Sequence, residues 1–417
     1  MSEREEPVSA VAADLQDERL IHTQGLSGYL LLFWSRLKGG DLGTLPVILG
    51  LIIICTVFYG MEPSFLSSKS LVNITLFAAP IGVISLGIVL VLLLGEIDLS
   101  VGSVSGFAAA SMAVLVVNDG HSLVFGMAAG VGIGLLIGCV YALLYTVVGV
   151  PSFVFSLAGL LAFQGALLYV LGDKGTIVLP ADSGLRQFAR FKFLSDVQAY
   201  VLIAVVVGLY LGVQLFGIQR RKRAGLTPPS AVIALVKAGL LAVGLGLLTY
   251  YLGIDRGWGY LPVLFAAMVV LLDLLLRKSK WGRHVFAVGG NEEAARRSGI
   301  KVDRIYFSVF ALCSMFAALG GLLVAGQLTS VSQSSGTTDT NLTAIAAAVI
   351  GGTSLFGGRG SAYSAMLGII VLQAIQSGLN IVNVDSSVRF MVTGGVLLLA
   401  VAIDSVSRRI RSSSGRG

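Results

Sequence analysis

Apolar runs long enough to cross a lipid bilayer recur along almost the whole chain, and nothing else constrains its fold so strongly. A helix needs about 20 predominantly apolar residues to span ~30 Å of hydrocarbon. By that rule the sequence holds about twelve segments: 45–60, 71–95, 97–117, 122–149, 152–172, 199–218, 231–253, 259–276, 305–327, 342–358, 362–381 and 388–404. Of 417 residues, 55% are apolar and only 12% charged, where a soluble domain has near a quarter charged. Soluble and disordered classes are thereby excluded. The expected fold is all-α and polytopic, a bundle of about twelve transmembrane or partly re-entrant helices at 45–404. It is flanked by a polar tail at 1–44 and a basic tail at 405–417. The short run at 26–37 reads as an interfacial helix with Tyr29, Trp34, Arg36 and Lys38 at headgroup level.

Charge fixes the orientation. With both termini in the cytoplasm, inside segments hold 20 lysines and arginines and outside segments 6. The net charge of +7 therefore reflects membrane topology, not a nucleic-acid surface. Cys55, Cys139 and Cys313 fall in apolar segments without metal spacing, and His22, His121 and His284 lie in tails or loops. Neither set builds a metal site or a nucleophile–base pair. The acidic, polar start of the chain does not resemble a cleavable signal peptide.

Two short segments echo one another. Gly95-Glu96-Ile97-Asp98-Leu99-Ser100-Val101-Gly102-Ser103 joins the second and third spans, and Gly351-Gly352-Thr353-Ser354-Leu355-Phe356-Gly357-Gly358-Arg359-Gly360-Ser361 joins the tenth and eleventh. Glycine-interrupted apolar segments in both halves of a membrane protein mark discontinuous helices beside a central pathway; two tight surface turns are the plainer reading. Glu96 and Asp98 follow some twenty apolar residues, and lipid would expel such carboxylates. They face a protein interior, a water-filled vestibule or the interface, or else Asp98 or Ser100 caps the helix that starts near Leu99.

Gln373, Gln376, Ser377 and Asn380 share one face of the eleventh span, and Gln164 in the fifth offers another amide. Such a stripe lines an aqueous path for a polyhydroxyl solute or glues helices together. Gly126, Gly130, Gly134 and Gly138 form a ridge for close helix packing, and Asp273 with Arg277 makes a local i,i+4 pair. The basic loop 277–304 contains Gly290-Asn291-Glu292-Glu293-Ala294-Ala295-Arg296-Arg297-Ser298-Gly299-Ile300, which reads as a short helix with acidic residues at its start and glycine past its end. That helix suits docking of another protein, or lies solvated near anionic lipid.

Glu293-Ala294-Ala295-x-x-x-Gly299 resembles the coupling motif of ATP-binding-cassette importer permeases. The 96–102 and 351–361 segments are similar to those of the ribose/xylose branch. Pro151-Ser152-Phe153, 285–300 and the extra pair of spans around Arg220-Arg221-Lys222-Arg223 resemble its xylose permeases. The likeness covers about 45–408. It implies a multi-pass permease of the bacterial cytoplasmic membrane, working as a homodimer with two ATPase subunits and an extracytoplasmic sugar-binding protein. Glu292, Glu293, Ala294, Ala295 and Gly299 would couple to the ATPase. Glu96, Asp98, Ser100, Gln164, Gln373, Gln376 and Asn380 would line the translocation path. Gly351, Gly352, Thr353, Ser354, Gly357 and Gly358 would form the helix break. No phosphate loop G-x-x-x-x-G-K-[ST] is present, so ATP is expected only on the partner subunit, with no cofactor or metal on this chain. The competing expectation is an ion-coupled secondary transporter with Glu96 or Asp98 as its proton site.

Overall fold

The helix at Ser68–Leu93 (α2) is apolar on every side, and a helix without a polar face belongs in an interior. In the computed structural model, which describes residues 45–225 and 230–413, α2 is buried over nearly its whole length. Its start is fixed by the Ser67 hydroxyl, which accepts the Ser70 amide at 3.3 Å. The tail at 1–44, including 26–37, lies outside the described residues.

In chain order, α1 is Leu45–Met61, and α2 is followed by α3 (Val101–Ala113), α4 (Leu123–Leu143) and α5 (Ser152–Leu171). Then come α6 (Asp196–Arg223), α7 (Ala231–Gly253), α8 (Tyr260–Lys278), α9 (Lys280–Gly290), α10 (Glu292–Arg297) and α11 (Val302–Leu328). α12 (Thr338–Ile350), α13 (Ala362–Ile381) and α14 (Ser386–Ser413) complete the chain. The only named strands among the described residues, β1 (Thr176–Val178) and β2 (Ser330–Ser332), pair antiparallel with Ile177 opposite Val331.

Nine helices among the described residues are long and apolar enough to cross a membrane, and the protein is an all-α polytopic membrane protein. The described residues fall into two compact units, one formed by Asp196–Tyr251 and the other by the remainder. Within the larger unit α11 packs on α4, α2 and α3, while α13 packs on α2, α12 and α1. The α4 glycine ridge works as its spacing predicts. A Cβ on Gly134 or Gly138 would run into Ala318 and the Phe310–Ala311 backbone of α11, so the two helices meet nearly backbone to backbone. Asp273 and Arg277 form their i,i+4 ion pair at 2.9 Å.

The tenth expected span is shorter than its apolar run. Helix α12 stops at Ile350, and 351–361 is irregular, because the run of glycines there lets the backbone leave the helix. Thirteen residues reach about 20 Å, two thirds of the hydrocarbon thickness. The third span likewise begins at Val101, not at 97, leaving Glu96 and Asp98 outside the helix.

Candidate functional site

The two glycine-rich breaks that echo each other in sequence touch in space. α2 ends at Leu93, and its carbonyl accepts the Gly358 amide at 2.8 Å. Gly95 and Gly357 both sit at φ +82°, the left-handed region that a side chain resists. A Cβ on Gly95 would stand 3.4 Å from the Phe356 carbonyl oxygen, and one on Gly357 2.6 Å from that of Gly289. The end of α9 closes on the same point, since a Cβ on Gly289 would overlap the Leu93 carbonyl. Three backbone segments therefore converge with no space for a Cβ on Gly289 or Gly357. Gly351 allows a similarly close approach at the start of the same break, against Ser364 of α13. Thr353 is buried there with its hydroxyl unpartnered, and Ser354 Oγ accepts the Phe356 amide at 3.2 Å.

Beyond Gly95 the chain turns inward. Asp98, 1% exposed, accepts both the amide (2.8 Å) and the hydroxyl (2.7 Å) of Ser100 on Oδ1, and the Cys313 thiol at 3.9 Å on Oδ2. The Tyr141 hydroxyl donates to Ser100 Oγ at 2.9 Å. Ser100 occupies the N-cap position of α3 without a side-chain cap bond; Asp98 accepts the amide of Ser100 itself in a local turn, and the orphan Gly102 amide of the first helical turn is taken by Asn341. This cluster is sealed between α3, α4 and α11. Next to it the Gly102 amide donates to Asn341 Oδ1 of α12, tying the two interrupted helices together, while Asn341 Nδ2 is buried without a partner.

Glu96 is placed differently. It is half-buried, and its two oxygens accept from the Tyr145 hydroxyl at 2.7 Å and from Ser152 Oγ. It borders a cavity of about 440 Å³ shared with Glu292 and Arg296 of α10 and with Asp303 and Tyr306. Helix α10 forms as its sequence requires. Asn291 Oδ1 caps it by accepting the Ala294 amide at 2.8 Å, and Gly299 ends it at φ +83°. Ala295 packs inward, and Glu293 pairs with Arg297 at 3.0 Å on the open side. Glu292 pairs with Arg296 at 2.9 Å and accepts the Tyr306 hydroxyl at 3.3 Å. The hydrogen bond to Glu292 raises the Arg296 guanidinium above its ordinary pKa. The motif thus divides: Glu293 faces outward and Glu292 faces the bundle.

The amide stripe is less gathered. Gln373 and Gln376 are half-buried and Asn380 is exposed, beside the face by which α13 packs on α2 and α12. Gln164 lies on α5, which packs mainly on α3, and the structure does not bring it to that stripe. Sequence alone gives no reason to single out Tyr145, Tyr306 or Gly289. The signal available is weak, two tyrosines at the ends of apolar spans, a pattern shared by every interfacial aromatic. Among the described residues no cluster of three or more His, Cys, Asp or Glu is arranged to hold a metal ion.

Residues 70–401 match the family described as the permease component of the branched-chain amino acid transport system. The chain belongs to that permease family. It is 33% identical over 382 residues to the xylose transport system permease protein XylH of Escherichia coli (strain K12), covering 90% of this chain and 95% of that protein. The corresponding Haemophilus influenzae protein is 34% identical, covering 90% and 99%. The ribose import permease protein RbsC of Bacillus subtilis is 30% identical, covering 88% and 94%. No solved structure matches the chain.

Proposed function

We propose that this chain is the membrane-spanning subunit of an ATP-binding-cassette importer for a monosaccharide, xylose or a related pentose or hexose. It resides in the bacterial cytoplasmic membrane. The observation that carries the reading is the short capped helix α10 with Glu293 and Arg297 on its open side, inside a permease similar over nine tenths of its length to xylose permeases. A separate ATPase subunit docks on Glu293–Gly299, and a separate extracytoplasmic protein delivers the sugar. Two copies of the chain pair in the assembly. ATP is bound and hydrolysed on the partner, and no covalent chemistry occurs in this chain.

Gln373, Gln376 and Asn380 offer donors and acceptors to a hydroxylated solute without imposing charge. An ion-coupled symporter is disfavoured, since Asp98 is sealed with both carboxylate oxygens engaged and Glu96 has its two oxygens held by Tyr145 and Ser152. Labelled-sugar uptake into proteoliposomes, with and without the ATPase, the binding protein and internal ATP, tests the reading. Uptake only when all are present is expected, with xylose and ribose compared side by side. Uptake by this chain alone under a proton or sodium gradient would overturn it.

A further inference from the structure

Between the bundle-facing side of α10 and the Gly95 break runs a continuous set of contacts, joined by two tyrosines that belong to neither the coupling motif nor the pathway residues. Glu292 is held by the Tyr306 hydroxyl at 3.3 Å. The Tyr306 ring lies on the Tyr145 ring with centroids 4.5 Å apart. Tyr145 donates to Glu96 at 2.7 Å, and Glu96 is the residue next to Gly95. The second oxygen of Glu96 is fixed by Ser152 at the start of α5.

We propose that Tyr145 and Tyr306 are positioning residues that transmit movement of α10 to the α2–α3 break. The inference rests on the importer reading given above. Three properties of the contacts support it. Both end bonds are to carboxylates; the inner one, Tyr145 to Glu96 at 2.7 Å, is short and charge-assisted, whereas the outer one, Tyr306 to Glu292 at 3.3 Å, is long and is the one that yields first when α10 moves. The middle contact is a tilted aromatic pair that couples the two side chains directly. The cavity of about 440 Å³ beside these four side chains leaves room for α10 to shift without compressing a packed core. At the far end Gly95, held at φ +82° with Phe356 and Gly357 packed against it, is where a small displacement of Glu96 re-aims the end of α2. Arg296 anchors the near end by bridging Glu292 (2.9 Å) and Asp303 (3.7 Å). The positioning role therefore belongs to two hydroxyls whose rings pack whether or not they are bonded.

The test uses the complete complex of permease, ATPase and binding protein in proteoliposomes, and reads sugar imported per ATP hydrolysed. Tyr306→Phe and Tyr145→Phe keep the rings and remove the hydroxyls. Each is expected to lower the ratio about three- to tenfold, while the ATPase still co-purifies with the permease. Combined with Glu96→Leu, Tyr145→Phe should add little further loss, because both act on one bond. Glu96→Gln, which retains an acceptor, should recover part of the ratio. Ser308→Ala is the control. It deletes the Trp281 hydrogen bond (2.8 Å), which also joins α9 to α11 but does not reach Glu96, and should leave the ratio unchanged.

An unchanged ratio in both tyrosine variants would overturn the proposal. So would a loss confined to the amount of folded protein. A wild-type complex that imports without ATP would instead refute the importer reading, so the two failures are distinguishable.

Discussion

Gly289 and Gly290 are adjacent, identical in chemistry and opposite in consequence. A methyl group on Gly289 would overlap the Leu93 carbonyl and press on the Gly358 amide at 2.9 Å, whereas one on Gly290 meets nothing within 4 Å. Overpacking of this kind costs about 1–3 kcal/mol. Filling an open helical glycine is neutral, or gains up to about 1 kcal/mol from propensity. Gly289→Ala is therefore expected to lower the thermal midpoint of the purified permease, while Gly290→Ala holds or raises it. Equal midpoints would mean that α9 does not close on the two breaks. The contrast depends on a meeting of three backbones, and no pattern along the chain announces which member of a Gly-Gly pair is crowded.

At the scale of elements, α10 shows what a sequence does disclose. Its cap, acidic first turn, i,i+4 charge pairs and terminal glycine are all local, so they are readable from residues 291–299. The same holds for the α4 glycine ridge, whose period of four is a helix property. Local physics says nothing, however, about which partner an element meets. The breaks at 94–100 and 351–361 are legible as interruptions, but their contact through Leu93 and Gly358 is a tertiary event. The split between Glu292 and Glu293 is hidden for the same reason, since it depends on where Tyr306 of α11 stands. The amide stripe shows the opposite limit, because a shared face is visible in sequence while the neighbour of that face is not. From this division follows a prediction about α10. The exposed Glu293–Arg297 pair contributes only about 0.3–0.5 kcal/mol. Glu293→Lys should therefore leave the thermal midpoint within about a degree or two, yet abolish ATPase co-purification and uptake. A variant that binds and transports normally would remove Glu293 from the coupling surface.

For the molecule as a whole, the question is how α12 connects two sides of the membrane with only thirteen residues. About 20 Å of helix does not cross ~30 Å of hydrocarbon, so non-helical backbone must complete the distance. Such backbone survives at membrane depth only where protein surrounds it. The chain meets that condition at both ends of α12. Before it, Ser335 and Gly336 lie against the backbone of Gly102 and Gly106; after it, Gly357 and Gly358 lie against Leu93, Gly95 and Gly289. The short helix is thus compatible with the lysine and arginine asymmetry of 20 inside to 6 outside, which requires residues 329–337 and 351–361 to face opposite compartments. Single cysteines placed on a background lacking Cys55, Cys139 and Cys313 test this directly, with Cys313→Ser chosen so that a donor to Asp98 is retained. Lys174→Cys and Ser334→Cys should react with a membrane-impermeant maleimide in intact cells. Arg283→Cys and Arg359→Cys, also exposed in the structure, should react only after permeabilisation. If Arg359→Cys were instead labelled from outside together with Ser334→Cys, α12 would be a hairpin that returns to its own side. The last two helices would then be inverted, and the break at 351–361 would lie across the membrane from α10. The contacts of Gly289 and Leu93 with Gly358 forbid that arrangement, so the labelling experiment tests the topology and the three-way backbone junction together.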